Sequence, residues 1–504
     1  MKDSKQKPRL NRVFYISASL IALLVLFGAI APTSFASIAG SIFNFTTRSF
    51  GWFYLLSVFL FVLFLVFLAF SKYGKIRLGK DDDRPQYPFF TWIGMLFSAG
   101  FGVGLVFWGV AEPMSHFFTP PYTDTEALTV EGARLAMAYS FFHWGVSQWS
   151  VFAIVGLIIA YFQFRRNADG LISTSLSPLI KERPYKQPLN QTIDILAVIA
   201  TVMGVATSLG LGVLQINGGL NSVFGLPNTA WMQVAIIVVL TALFLTSTTT
   251  GLDRGIKWLS NINLGTALVL MVFVFFAGPT IFILETLTLG LGDYLQNFIR
   301  YSLRLQPYQQ GTWVRDWTIF YWAWAIAWSP FVGAFVARVS RGRTIREFIV
   351  GVLIVPPFIA LLWIAVFGGT ALHLDLFEGT SIAEAVNADV TSALFVTFAE
   401  LPFSFILSVL SILLILTFLI TSADSATYII SSMTTNGSLN PPLHVRIAWG
   451  VLLGGIAAVL LIASGLEGLQ TASLISALPF TIILLLMVFT LFMLLRKENM
   501  NKIK

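Results

Sequence analysis

Residues 321–331 read YWAWAIAWSPF. A helix turns 100° per residue, so Trp313, Trp317, Tyr321, Trp324 and Trp328, spaced 4, 4, 3 and 4, form one aromatic stripe, while Trp322 points away. A second group, SFFHWGVSQWSVF (140–152), puts Trp149 and Phe152 on one face with Trp144 oblique to them; Gly145 and Ser147 leave room beside the rings. Aromatic faces attract cations, each good contact contributing about 0.5–2 kcal/mol. They suit a quaternary ammonium, which has no N–H to donate. Two other readings stand beside such a cage. Trp313 and Trp317, near the outer end of their segment, suit a belt at headgroup level, and the remaining rings suit a close-packed core in a chain with 46 Phe. At 1.5 Å per residue Trp328 lies about 22 Å beyond Trp313, too deep for a belt, and its indole N–H needs a partner there.

Other residue types point to a hard cation. FLITSADSATY (418–428) carries Thr421, Ser422, Asp424 and Ser425 in apolar surroundings. Hydroxyl and carbonyl oxygens suit Na⁺, and an acid in a membrane segment is functional or paired by default; packing of small hydroxyl residues between helices is the alternative. Thr201, Thr207 and Ser208 offer a weaker set. Gly100, Gly102 and Gly104 in SAGFGVG (98–104) exceed the four-residue spacing of close-packed membrane helices, which predicts local unwinding. Pro330 removes a backbone donor and frees a carbonyl one turn back. Secondary transporters place such interrupted helices at the midplane, where carbonyls bind Na⁺ and half-helix N-termini face anionic groups.

The elements that must hold these residues are membrane helices. Of 504 residues 56% are hydrophobic and 11% charged, against about 25% charged in soluble domains, and mean hydropathy is +0.81. A span needs about 20 apolar residues. Roughly twelve candidates occur: 13–32, 50–71, 89–111, 136–163, 190–220, 230–247, 256–279, 313–337, 346–371, 395–432, 445–465 and 470–495. An all-α, polytopic, single-domain membrane protein follows, with short tails at 1–12 and 496–504. With the first tail placed in the cytoplasm, only Arg48, Arg134, Arg300, Arg304 and Arg315 of the 31 Lys and Arg fall outside. That bias is the positive-inside rule. It puts both termini in the cytoplasm and accounts for the net charge of +7 without nucleic acid. The first apolar run is nearer 20 residues than the 7–15 of a signal peptide, so it reads as an uncleaved span. Residues 284–305 show one apolar stripe, Leu287, Leu291, Tyr294, Phe298, Tyr301 and Leu305, as a helix lying on the outer surface would; half of a broken span is the alternative. Cysteine is absent, and His116, His143, His373 and His444 show no metal-ligand spacing. Neither a P-loop nor GxGxxG is present.

The chain resembles the betaine–choline–carnitine transporters, most densely in GFGVGLVFWGVAEP (100–113), FHWGVSQW (142–149), ATVMGVATSLGLG (200–212), FYWAWAIAWSPFVGAFVARVSRGRTIRE (320–347) and TSADS (421–425). The resemblance implies twelve spans: two peripheral helices, then two inverted five-helix repeats of the LeuT-like fold, about 89–279 and 313–495. It also implies alternating access and a homotrimer. Substrate would meet Trp144, Trp149, Phe152, Trp324 and Trp328, its carboxylate near the unwound Gly100, Gly102 and Gly104. One Na⁺ would take Ser98, Phe101, Phe418, Thr421 and Ser422. A second Na⁺ site, with Thr201 and Phe331, is put in doubt by Val205, where some relatives have threonine. Ala325 replaces a cage tryptophan of the betaine carriers and Phe152 a tyrosine. Gly104 stands where choline carriers tend to have an acid, which favours a zwitterion. Na⁺-coupled uptake of glycine betaine as an osmoprotectant at the cell membrane is therefore expected, with Na⁺ the coupling ion and no other cofactor. Ectoine, proline or choline carriage within the family is the alternative. A membrane enzyme or a passive channel is the rival from another class.

Overall fold

The computed structural model describes residues 10–100, 102–180, 184–250, 253–308 and 311–501. Among them the regular structure is helical, with one isolated bridge between Arg77 and Thr344. Seventeen α-helices follow in order: α1 (Arg12–Ile30), α2 (Pro32–Phe70), α3 (Phe89–Gly100), α4 (Val103–Phe118), α5 (Val130–Trp144), α6 (Val146–Ala160), α7 (Ile172–Leu176), α8 (Lys186–Phe224), α9 (Ala230–Thr250), α10 (Asp253–Ala277), α11 (Thr280–Ser302), α12 (Phe320–Val339), α13 (Ile345–Phe377), α14 (Ile382–Ala388), α15 (Ala393–Ala399), α16 (Ser404–Met433) and α17 (Leu443–Asn501).

Among the described residues ten segments are long and apolar enough to cross a bilayer, and α3 with α4, bent by 60°, makes an eleventh. The count reaches the expected twelve only if α17 is read as two. Its 59 residues are broken at Gly465, whose φ of 56° is the left-handed conformation glycine tolerates. Apolar periodicity reports burial in lipid or protein but not a change of helix direction, so such breaks shift the predicted boundaries. Likewise the fourth candidate span divides at Gly145 into α5 and α6, and the tenth gives up α15 before α16.

Burial separates the helices into two classes. α5, α6, α8, α12 and α13 supply the bulk of the buried side chains, whereas α1, α9 and α10 leave most of their residues only partly buried or exposed. An exposed apolar helix is stable where lipid is the solvent, and its backbone is satisfied internally. The centre is drawn tight by small residues: a side chain at Gly156 or Gly333 would meet the other helix's backbone at 3.1 or 2.9 Å, so α6 and α12 touch almost main chain to main chain. α11 is the expected amphipathic helix, with Tyr294 and Tyr301 buried and Leu295 and Ile299 exposed. α17 runs past the expected end of the last span, to Asn501. Glu498 there accepts from Tyr161 Oη at 2.9 Å and from Arg165 Nε at 2.7 Å.

Candidate functional site

The glycine-rich stretch is a helix break. α3 ends at Gly100 and α4 starts at Val103, with Gly102 extended (φ −164°) as its N-cap. Phe101 lies outside the described residues. The bare backbone here faces the tryptophans: a Cβ on Gly102 would lie 3.9 Å from Trp328, and one on Gly104 would strike Trp324 at 2.3 Å. An acid at position 104 therefore has no room while Trp324 holds this rotamer.

Pro330 does not interrupt α12, which continues through it to Val339. This corrects the expected break. The carbonyl that the proline frees, that of Ile326, accepts a hydrogen bond from the Ser329 hydroxyl at 2.8 Å. Satisfying the orphan locally removes the reason to unwind. The serine of the Ser-Pro pair thus repairs the bond that the proline removes. The irregular turn lies earlier, in a π-helical segment at Arg315–Ile319.

The five expected cage residues form one chain of ring contacts. Trp144 meets Trp324 at 6.0 Å, Trp324 stacks on Trp328 at 6.2 Å, Trp328 meets Phe152 at 5.8 Å, and Phe152 meets Trp149 at 5.2 Å. Trp324 Nε1 finds its partner in Ser208 Oγ at 3.3 Å. Trp144, Trp149, Phe152 and Trp324 are buried, and of the five only Trp328 borders open space. Ala325 is buried outside that lining, so its missing indole does not enlarge it. Trp313 and Trp317 are not a belt. They pack inside the bundle, on the His116 ring at 4.8 and 4.4 Å.

The open space is a cavity of about 800 Å³. Its inner end is bounded by Gly102, Gly104, Ser208, Trp328 and Phe331, and Arg338, Asn440 and Arg446 also line it. Ser98 of α3 and Phe418, Thr421 and Ser422 of α16 all line it, which brings four expected Na⁺ ligands to the same cavity. The Thr421 hydroxyl lies 3.1 Å from the Phe418 carbonyl. Asp424 lines the cavity too, accepting from the Thr248 hydroxyl, with Arg446 Nη2 at 3.6 Å. Phe331 and Val205 line the cavity but Thr201 does not. The Thr201 hydroxyl donates to the Ala197 carbonyl at 2.7 Å, and the residue is fully buried.

Beyond the cage, away from the cavity, the structure assembles a group that the sequence spacing did not single out. Glu112 and His116 of α4 and His143 of α5 are fully buried with their ligand atoms within 4.8 Å of one another. Two of the four scattered histidines thus meet on one carboxylate. The Glu112–His116 spacing of four was visible on a helix; the approach of His143 from α5 was not.

The sequence pattern of the BCCT, betaine/carnitine/choline family of transporters, matches residues 12–500. The chain is a member of that family. It is therefore a membrane transporter and not an enzyme. Similar proteins include an ectoine/hydroxyectoine transporter of Virgibacillus pantothenticus, 66% identical over 95% of each chain. The glycine betaine transporter of Bacillus subtilis (strain 168) is 48% identical over 97% of this chain and 95% of its own. Among solved structures, a Na⁺-coupled sialic acid symporter matches with TM-score 0.50 at 16% identity, over 88% of this chain and 87% of that one. The likeness establishes the LeuT-like fold of the family member.

Proposed function

We propose that the chain is a Na⁺-coupled uptake carrier for small zwitterionic compatible solutes, working by alternating access. The observation that carries this reading is the cavity lined by Trp328, Gly102 and Gly104 together with Thr421 and Ser422. A cationic group would rest on the indole, a carboxylate would meet the N-terminus of α4, and Na⁺ would take the hydroxyl and carbonyl oxygens. Each Na⁺ descending 100 mV supplies about 2.3 kcal/mol, a roughly 50-fold accumulation of a neutral solute.

Ectoine or hydroxyectoine is the leading substrate. The relative that is 66% identical carries those solutes by name, and their delocalised amidinium cation suits contact with an indole face. Glycine betaine is the second reading, supported by the 48% identical carrier and by the absence of an acid at Gly104. The cavity's Arg338 and Arg446 lie at the end assigned to the cytoplasm by the positive-inside rule, so the arrangement would face inward. Uptake of labelled ectoine and labelled glycine betaine into proteoliposomes, with and without a Na⁺ gradient, tests the proposal. Accumulation of either solute that collapses without Na⁺ supports it; equal uptake without Na⁺ refutes the coupling.

A further inference from the structure

The buried residues of α10 run along one stripe, with Asn263, Ala267, Leu270 and Val274 spaced 4, 3 and 4. Asn263, only 1% exposed, is its polar member. It lines the cavity where α10 meets α16, and its Nδ2 lies 3.5 Å from Thr421 Oγ1, at the limit of a hydrogen bond. Among the described residues its Oδ1 accepts no hydrogen bond and is shielded from solvent. A buried carbonyl without a partner is costly, and a leucine would continue the stripe without that cost. What the amide adds at this point is an oxygen.

The groups facing it from α16 are oxygens as well. The Thr421 hydroxyl points its proton at the Thr417 and Phe418 carbonyls, each at 3.1 Å, so it offers lone pairs to α10. Asp424 and Ser425, three and four residues on, fall within about 60° of Thr421 around the helix and line the same cavity. Asp424 is buried, accepts from the Thr248 hydroxyl of α9, and has Arg446 Nη2 of α17 at 3.6 Å, beyond hydrogen-bond reach. A half-turn of the Asn263 amide places Oδ1 where Nδ2 now stands, 3.5 Å from Thr421 Oγ1. Na⁺ is close in size to Ca²⁺, which holds oxygens at about 2.3–2.6 Å. Two oxygens at right angles on such an ion stand about 3.3–3.7 Å apart. The spacing of the amide and the hydroxyl matches that separation.

We propose that Asn263, Thr421, Asp424 and Ser425 form a second Na⁺ site between α10 and α16. The inference rests on the transport reading above and deepens it: Asn263 and Asp424 take the place of Thr201 and Phe331 as ligands of a second coupling ion, so two Na⁺ accompany each solute. Charge favours a monovalent ion. Asp424 brings one negative charge and Arg446 already stands beside it, so a divalent ion would leave an uncompensated excess in a buried place. Thr421 lies between the two ions, next to Ser422 of the first site, and the second ion then bridges α10 to α16 in the ion-loaded carrier.

The test is Na⁺-dependent uptake of labelled ectoine and labelled glycine betaine by the full chain in proteoliposomes, with K⁺ replacing Na⁺ at constant ionic strength. The wild-type rate should rise with the square of Na⁺ concentration below saturation. Asn263→Ala and Asp424→Asn should each reduce that order to one and raise the half-saturating Na⁺ concentration about tenfold. Asn263→Asp should keep the second order, because it retains the oxygen and loses only the N–H. A first-order wild type, or an Asn263→Ala carrier with the wild-type order, overturns the proposal. An Asn263→Asp carrier that behaves like Asn263→Ala also overturns it, because the amide would then serve only as a donor to Thr421. Thermal unfolding in detergent without solute gives a readout independent of transport and shows that each variant is folded. Each bound ion stabilises in proportion to the logarithm of its concentration above its Kd. The rise in Tm per tenfold Na⁺ should therefore be about twice as large in the wild type as in Asn263→Ala. Equal rises overturn the site, whereas a doubled rise together with uptake that ignores Na⁺ refutes only the transport reading.

Discussion

At the scale of the residue, the division of labour between indole and hydroxyl makes separable predictions. Trp328 is the one cage ring that borders the cavity, so Trp328→Ala should raise KM for solute by about 3- to 30-fold, the range that follows from one cation–π contact. Trp328→Phe should recover part of that loss, because a weaker π face remains. Concentration dependence of uptake at saturating Na⁺ checks both. On the proposed reading, Thr421 and Ser422 act on Na⁺. Thr421→Ala or Ser422→Ala should raise the Na⁺ concentration for half-maximal uptake by about tenfold, an ordinary cost for losing one oxygen bonded to a charge. Thr201→Ala should leave that concentration unchanged, because Thr201 is fully buried and does not line the cavity. A large shift for Thr201→Ala would restore the second Na⁺ site that Val205 puts in doubt.

At the scale of the element, backbone space decides what side chains can do. Gly104 is the sharpest case: a methyl group there would overlap Trp324 at 2.3 Å. Gly104→Ala should displace that ring and lower solute affinity, while thermal stability in detergent falls by only about 1–3 kcal/mol, the usual cost of overpacking. A binding titration alongside a melting curve separates the two effects. Much of this was legible in the sequence. Alternating glycines predicted the break between α3 and α4, the 4, 4, 3, 4 aromatic steps predicted a single face, and the tyrosine-bearing stripe predicted α11. Three features were not legible, each for a physical reason. Pro330 signals a lost donor but not whether a neighbouring hydroxyl takes the freed carbonyl, as Ser329 does. Trp313 and Trp317 look like a belt when depth is judged from one helix, because neighbouring helices that bury them are invisible to local periodicity. Glu112 and His143 are 31 residues apart, and only the approach of α5 to α4 brings them together.

At the scale of the whole molecule, the two ends of the bundle are unlike. One end is plugged by a continuous aromatic and hydrogen-bonded mass: Trp108, Trp313, Trp317 and Tyr321 around Glu112 and His143. The other is open through the cavity between α3, α10, α12 and α16 to Arg338 and Asn440. Alternating access requires that the plugged end loosen when the open end closes, because a site exposed at both ends would let solute and Na⁺ leak down their gradients. The absence of cysteine in the sequence makes this directly testable, since any introduced thiol is the sole thiol. A single cysteine at Asn440 should react fast with a membrane-impermeant maleimide in the substrate-free protein without Na⁺, and more slowly once Na⁺ and solute are both present. A single cysteine at Thr318, buried beside His143, should react slowly in the first condition. It should react faster when Na⁺ alone draws the carrier toward the opposite state, because a ligand shifts the population toward whichever state binds it better. Applied to sealed, oriented vesicles, the same reagent fixes the membrane sides: Asn440 labelled from the cytoplasmic face and Thr318 from the outer face is the expected pattern. Both sites labelled from one face would mean that the 800 Å³ cavity is a side pocket, and the two ends do not alternate.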